Sequence, residues 1–256
     1  MVEKQHTQEV IQQLEEARKD LEFSLDLLIH DVSSQTMITY SCLEELKSVI
    51  DKNDEDSQFF LQTALQSLLR AQMVIDQVKL LSQIKNLQDG DYTPIDLVGV
   101  VQRSITALTS MFPEEQIEIK TSFAKKPSFV QGTTILDNCL LNLLQNAVFA
   151  DPNPVKRIEI LIDEVQGARK WKVEVIDHGE GIPDSLKEKL FQRFFRARSS
   201  KKGSGLGLYI VKTILEKFEG EITVTNRVVD DYTQGTRFEI TLPRIEIANF
   251  PESLES

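Results

Sequence analysis

The residues most able to do chemistry in this 256-residue chain are few, and their settings are unusual. Asp177-His178-Gly179-Glu180-Gly181-Ile182-Pro183 starts on the last residue of the strand-like run WKVEVID, which holds a carboxylate at a strand end beside two glycines. Glycines of this kind allow close backbone approach, and a carboxylate so placed can accept a hydrogen bond from the exocyclic amine of adenine. Gly203-Ser204-Gly205-Leu206-Gly207-Leu208 comes later and runs straight into YIVKTILEKF. Glycines that open a helix expose N–H groups at the positive end of its dipole, where a phosphate chain is favoured. Upstream, Asn142 and Asn146 stand four residues apart in an otherwise apolar helical stretch. Their amides share a face, a costly arrangement without partners. The carbonyl oxygen of Asn146 suits Mg²⁺, which takes oxygen ligands and usually shares them with substrate phosphates. Of the three histidines, His6 lies in a polar stretch and His178 fills the variable position of the glycine loop. His30 follows Leu27-Leu28-Ile29 and precedes Asp31, the setting of an ordinary packed or solvated helical histidine on periodicity alone.

The elements that must position these groups divide the chain in two. All eleven glycines and all eight prolines lie at or after Gly90, so residues 1–89 lack the commonest helix interrupters. Leu14, Leu21 and Leu28 recur every seven residues, with Leu25 and Val32 on the interleaved register, as in a helix packing on other helices. The pattern predicts one helix over residues 8–50. The polar cluster at 51–57 interrupts it, and a second apolar run from Phe60 to Leu87 resumes it. The expected result is a long helical hairpin whose uncovered apolar stripe drives dimerisation into a four-helix bundle. Beyond residue 90, strand-like runs at 117–123, 158–163, 171–177, 221–226 and 236–242 alternate with helical stretches at 97–110, 134–150 and 207–218. That texture predicts an α/β two-layer sandwich with helices on one sheet face. The expected domains are 1–91 for the helical part, 92–245 for the sandwich and 246–256 as a tail.

Composition excludes several classes. The chain carries 29 Lys+Arg against 40 Asp+Glu, a net charge of −11, which argues against a nucleic-acid partner. Residues 1–91 hold 8 Lys+Arg and 17 Asp+Glu, so nearly all of the acidity belongs to the helical part. The longest uncharged stretches, Ser57–Leu69 and Asn138–Ala150, have 13 residues each, short of the roughly 18 needed to span a membrane. With no apolar signal segment at the start, the chain is expected to be cytoplasmic, without membrane contact of its own. Cys42 and Cys139 both lie in apolar helical surroundings and are expected to be buried reduced thiols.

The order of the motifs resembles the ATP-binding catalytic domain of sensor histidine kinases, from the superfamily shared with gyrase-type and Hsp90-type ATPases. NLLQNA (142–147) is similar to the N box, DHGEGIP (177–183) to the G1 box, FQRFFRA (191–197) to the F box and GSGLGL (203–208) to the G2 box; Gly235-Thr236 resembles the final glycine box. YTPIDL, from Tyr92, is similar to the family's usual lead-in to this domain. His30-Asp31-Val32-Ser33-Ser34 resembles the H box of the dimerisation and phosphotransfer domain that precedes it.

That resemblance implies an ATP-dependent protein histidine kinase, homodimeric and using Mg²⁺, in which His30 is autophosphorylated and passes the phosphoryl group to an aspartate of a response-regulator receiver domain. It makes Asp31 an orienting group or general base, places Asn142 in the catalytic set, and gives nucleotide-binding roles to Asn142, Asn146, Asp177, Gly179, Gly181, Gly203, Gly205, Leu206, Gly207 and Thr236. The segment between the G1 and G2 boxes becomes a lid over the nucleotide. Between residues 187 and 202 it carries seven Lys or Arg and one Glu, a charge suited to a triphosphate. Three departures stand out. Ser34 occupies the position where the family often has Thr or Asn for phosphatase chemistry, and the usual H-box proline is absent. Phe149 stands where the N box commonly has Lys or Arg, leaving Lys201 or Lys202 to compensate. The alternative reading is a phosphotransfer adaptor with weak or no kinase activity. No sensor segment is recognisable, so the chain is expected to be the cytoplasmic core of a larger sensor, whose upstream part could be membrane-bound.

Overall fold

A computed structural model describes residues 29, 31–47, 50, 54–124, 127–193, 195 and 205–246. The chain divides into two compact units, Met1–Lys85 and Asn86–Ser256.

In the first unit, residues 31–47 form helix α1 and Glu55–Asn86 form helix α2. Asp54 opens α2 in the usual way for a capping carboxylate: its Oδ1 accepts from the Ser57 N–H at 3.2 Å, and its Oδ2 from the Ser57 hydroxyl at 2.5 Å. Leu61, Leu65, Leu80 and Ile84 are buried, and the i, i+4 spacing within each pair marks one face of α2. Much of the remaining apolar surface of this unit is exposed, including Val32, Met37, Ile38, Leu46, Phe59, Phe60 and Val74. Cys42 is exposed, against the expectation of a buried thiol, whereas Cys139 is buried. The surroundings explain the difference: Cys42 sits among exposed positions of α1, while Cys139 lies among the core leucines of a helix in the second unit.

Near the start of the second unit lies a 3₁₀ turn at Asp89–Asp91 that contains the first glycine. Strands β1 (Thr93–Asp96) and β3 (Phe129–Gly132) form a small antiparallel sheet that periodicity does not predict, because each has only four residues. The main sheet has the order β2-β4-β5-β7-β6, formed by Gln116–Phe123, Val155–Glu164, Lys170–Asp177, Asp231–Pro243 and Glu221–Val228. Only the β2–β4 pair is parallel. Helices α3 (Leu97–Met111), α4 (Ile135–Ala150) and α6 (Gly207–Lys217) form the second layer, and a short α5 spans Asp184–Lys187. The architecture is thus a helical unit followed by an α/β two-layer sandwich.

Local chemistry sets the helix ends. Asp96 caps α3 by accepting from the Val98 and Gly99 N–H groups, each at 3.2 Å. Pro113 closely follows the end of α3, and Asp151-Pro152 follows α4. Past α6, Glu219 adopts φ 55° while the Gly220 N–H bonds the Leu215 carbonyl at 2.8 Å, a left-handed terminus that uses up a spare helix carbonyl.

Strand alternation builds the core. Ile158, Ile160 and Ile162 of β4, Trp171, Val173 and Val175 of β5, and Phe238, Ile240 and Leu242 of β7 are buried beneath the helices. Trp171 is fully buried, and the Arg244 guanidinium lies 5.6 Å from its ring centroid.

Candidate functional site

The same alternation that builds the core carries Asp177 into it. Counting by twos from Trp171, Val173 and Val175, the next inward position on β5 is Asp177, which is 3% exposed. His178, one residue on, is sent to the other face of the sheet, where its Nε2 is 2.8 Å from Oε1 of Glu159. Asp177 is therefore a carboxylate at the C-terminal end of a central strand, on the face the helices cover. Its Oδ1 accepts from the Gly179 N–H at 2.9 Å and the Thr236 N–H at 3.1 Å. Burial raises its pKa to about 6; the two backbone N–H bonds oppose that shift, and the nearby negative charge of Asp151 adds to it.

The glycines of this loop are required by the protein's own backbone. At Gly181 φ is 64°, and a Cβ there would sit 1.5 Å from the Tyr232 carbonyl oxygen. At Gly179 a Cβ would lie 2.5 Å from the carbonyl oxygen of Ala150. The close approach they allow is thus made by the protein's own backbone: they seat the loop against the end of α4 and the start of β7, and Asp177 is held in place as a result. Gly235, before Thr236, completes the arrangement where β7 passes the Asp177 carbonyl.

Helix α4 brings two amides to this region, and they differ. Asn142 donates from Nδ2 to the Asn138 carbonyl at 2.8 Å, so its cost is met within the helix. Asn146 Nδ2 is buried and has no hydrogen-bond partner. Phe149, in the last turn of α4, packs edge-to-face on Phe112 with ring centroids 5.5 Å apart. Beside it lies a cavity of about 290 Å³ bordered by Glu115, Ala150, Asp151, Lys156 and Glu180. The Nζ of Lys156 donates to the Asp151 and Asn153 carbonyls at 2.7 and 2.6 Å.

Helix α6 opens at Leu206, which is buried, after Gly205 at φ 76°. Among the described residues no side chain caps its N-terminus, and Gly207 supplies its first residue. Arg193 of the F-box-like run donates to the Tyr209 hydroxyl at 2.6 Å, with its guanidinium 4.6 Å from that ring centroid.

Asp177, Gly179, Gly181 and Thr236 therefore converge, with Asn146 on the helix whose end abuts them and Gly205, Leu206 and Gly207 at the start of α6. Asp31 and Ser34 lie on α1, and both are exposed. His30, Lys201, Lys202 and Gly203 lie outside the described residues. Asp151, buried and close enough for its charge to act on Asp177, is not singled out by the sequence motifs. Its signal in the sequence is the DPNP run directly after an apolar helix, which marks a rigid turn opening with a side-chain acceptor.

Comparison with known proteins adds four findings. A family model described as histidine kinase-, DNA gyrase B- and HSP90-like ATPase matches residues 132–246. Histidine protein kinase SaeS of Staphylococcus aureus (strain USA300) is 26% identical over 252 residues, covering 94% of this chain and 70% of that protein. Among solved structures, a mycobacterial sensor histidine kinase, MprB, is 29% identical with a TM-score of 0.52, covering 61% of this chain and 99% of that one. Histidine kinase ThkA in complex with the response regulator protein TrrA shares the fold at 21% identity and a TM-score of 0.59, covering 84% of this chain and 59% of that one.

Proposed function

We propose that this chain is the core of a two-component sensor histidine kinase, an ATP-dependent enzyme in which His30 is the phosphoryl acceptor. The observation that carries this reading is the buried Asp177, fixed by two backbone N–H groups next to the end of α4. Ionised Asp177, which also takes a hydrogen bond from the Thr236 side chain, retains the acceptor capacity for one more from the exocyclic amine of adenine. The G1 glycines and Thr236 hold it there. The first N–H groups of α6 face the phosphate chain, and Lys201, Lys202 and Gly203 add to its binding.

Asn146 is the residue we assign to Mg²⁺. The fit rests on its buried amide, whose Nδ2 is without a partner. Turning the amide about its last torsion puts the carbonyl oxygen in that position, the donor type this cation prefers. Among the described residues no three His, Cys, Asp or Glu side chains stand together as a metal cluster, and Asn146 is the side chain that would hold the cation. When bound, the cation neutralises the charge of the transferring phosphate. Asn142 stands where gyrase-type and Hsp90-type ATPases use a glutamate to activate water. An amide cannot act as that base, which favours transfer to a protein nucleophile over steady hydrolysis.

The neutral imidazole of His30 presents a lone pair to the γ-phosphorus. As the new P–N bond forms, the P–O bond to ADP breaks, and the ring proton on the other nitrogen passes to or is held by Asp31. The phosphoramidate is a good donor, and an aspartate on a response-regulator receiver domain is the acceptor we assign. ThkA, a kinase of the same fold, is known in complex with a response regulator. Ser34, four residues beyond His30 in the sequence, is the residue we assign to orient water for hydrolysis of the partner's aspartyl phosphate, the phosphatase reaction. The exposed apolar residues of α1 and α2 support a homodimer in which the two helices of each subunit complete a four-helix bundle. No helix among the described residues is long and apolar enough to cross a membrane. We place the chain in the cytoplasm as the catalytic portion of its sensor.

The test uses γ-labelled ATP with Mg²⁺. Acid-labile, alkali-stable label on the chain, absent in His30→Gln, is the expected outcome; unchanged labelling of that variant would sink the assignment.

A further inference from the structure

Helix α4 ends on Ala150, whose carbonyl is one of the orphaned acceptors every helix C-terminus leaves. Here it accepts from the Glu180 N–H at 3.1 Å, and so it joins the helix carrying Asn146 to the loop carrying Asp177. The joint has no slack on the loop side, because even a methyl group at Gly179 would overlap that carbonyl. On the helix side the next residue, Asp151, is 3% exposed, far more enclosed than a turn carboxylate needs to be. Its Oδ1 accepts from the Asn153 N–H at 2.9 Å and from Asn153 Nδ2 at 2.7 Å, and its Oδ2 accepts from the Arg157 N–H at 3.3 Å. Lys156 closes the same turn by bonding the Asp151 carbonyl. Pro152 and Pro154 stiffen it further.

We propose that Asp151 is a positioning residue of the nucleotide site, bracing the α4–β4 turn so that the Ala150 carbonyl is fixed against Gly179 and Glu180. The spacing between the Asn146 amide and the Asp177 carboxylate is thereby set by a residue that touches neither the base nor the phosphates. This role rests on the nucleotide reading given above. It accounts for the burial of a charged carboxylate in a turn where the less costly serine or asparagine would serve as a simple cap. Three N–H donors converge on it, more than either of those side chains' single acceptor oxygen would suit in this geometry.

The experiment measures the dissociation constant of the non-hydrolysable analogue AMPPNP with Mg²⁺ on the full chain, alongside the melting temperature of each variant. Asp151→Ala should weaken binding by about tenfold or more while the protein remains folded at the assay temperature, since such misplacement costs roughly that much. Asp151→Asn keeps the acceptor for both Asn153 donors but loses the one for the Arg157 N–H, so it should bind about threefold more weakly than the parent, between the parent and the alanine variant. Asp151→Glu keeps the charge but moves the acceptor by a methylene, so it should bind about fivefold or more weakly, and it serves as the test if the alanine variant does not fold. Gly179→Ala attacks the same joint from the loop side, and its effect combined with that of Asp151→Ala should fall short of the product of the two. Parental affinity in Asp151→Ala or Asp151→Glu, or fully multiplicative effects in the double variant, would overturn the assignment. Absence of binding by the parent chain would instead overturn the nucleotide reading on which it depends.

Discussion

Asp177→Asn should make the ATPase unit more stable while removing its ligand. The ionised form of Asp177 is disfavoured by burial, which lifts its pKa from an ordinary 3.8 to about 6. At 1.36 kcal/mol per unit, the charge costs about 3 kcal/mol at neutral pH. Because the folded state holds this proton more tightly than the unfolded chain, the group's favourable contribution is complete below about pH 3.8. It is lost as pH rises through about 6. Asparagine retains an oxygen for the Gly179 and Thr236 N–H groups but carries no charge. At pH 7.5 the variant should therefore exceed the parent by up to about 3 kcal/mol, less the cost of any amide N–H left without a partner. For a unit of this size that is roughly 5–10 °C in melting temperature. The advantage should shrink towards zero at pH 4. At pH 7.5, Mg-AMPPNP at 100 times its dissociation constant should stabilise the parent by about 2.7 kcal/mol and the variant not at all. Differential scanning calorimetry at the two pH values, with and without the analogue, measures all four quantities. A variant less stable than the parent at pH 7.5, or a stability difference independent of pH, would refute the account of Asp177 as a strained, functionally retained charge.

Other perturbations follow from the same geometry. Gly181→Ala should lose at least about 2–4 kcal/mol in urea unfolding, because its left-handed backbone and the Tyr232 carbonyl leave no room for a side chain; an unchanged midpoint would contradict so close an approach of the two backbones. Phe149→Lys should give up about 1 kcal/mol from the Phe112 contact. It should lower the KM for ATP about three- to tenfold by restoring a cation beside the phosphates, and a KM that rises instead would remove Phe149 from that region. In the native protein one thiol should react quickly with a disulfide reagent and one only on unfolding, Cys42 being exposed and Cys139 buried with its pKa raised. Two fast thiols would contradict the packing of α4.

The large elements are legible in the sequence because their periodicity is strong. Helices α3, α4 and α6 and the five main-sheet strands fall within a few residues of the expected ranges, apart from β7, which begins five residues early as a hairpin arm. β1 and β3 are not legible, because four-residue strands carry too little alternation to stand out. Asp177 is legible because it combines a strand end with paired glycines. Asp151 is not, because its importance depends on a joint between Ala150 and Glu180, which are distant in the chain, and on burial that a DPNP turn does not announce. The pair of asparagines illustrates the same limit: spacing puts both on one face, yet Asn142 satisfies itself on the helix backbone while Asn146 is left without a partner for its Nδ2. The exposure of Cys42 is hidden for a related reason, since apolar sequence neighbours do not decide which way a helix face points.

Trp171 is the only tryptophan in the chain, and it is fully enclosed in the sheet–helix core of the second unit. Its emission therefore reports on one unit alone, whereas far-ultraviolet circular dichroism sums the helices of both. A single protein without labels thus has two optical channels. If the acidic helical unit and the ATPase unit melt independently, the channels will separate along a denaturant axis; if signalling couples them, nucleotide will draw the two curves together.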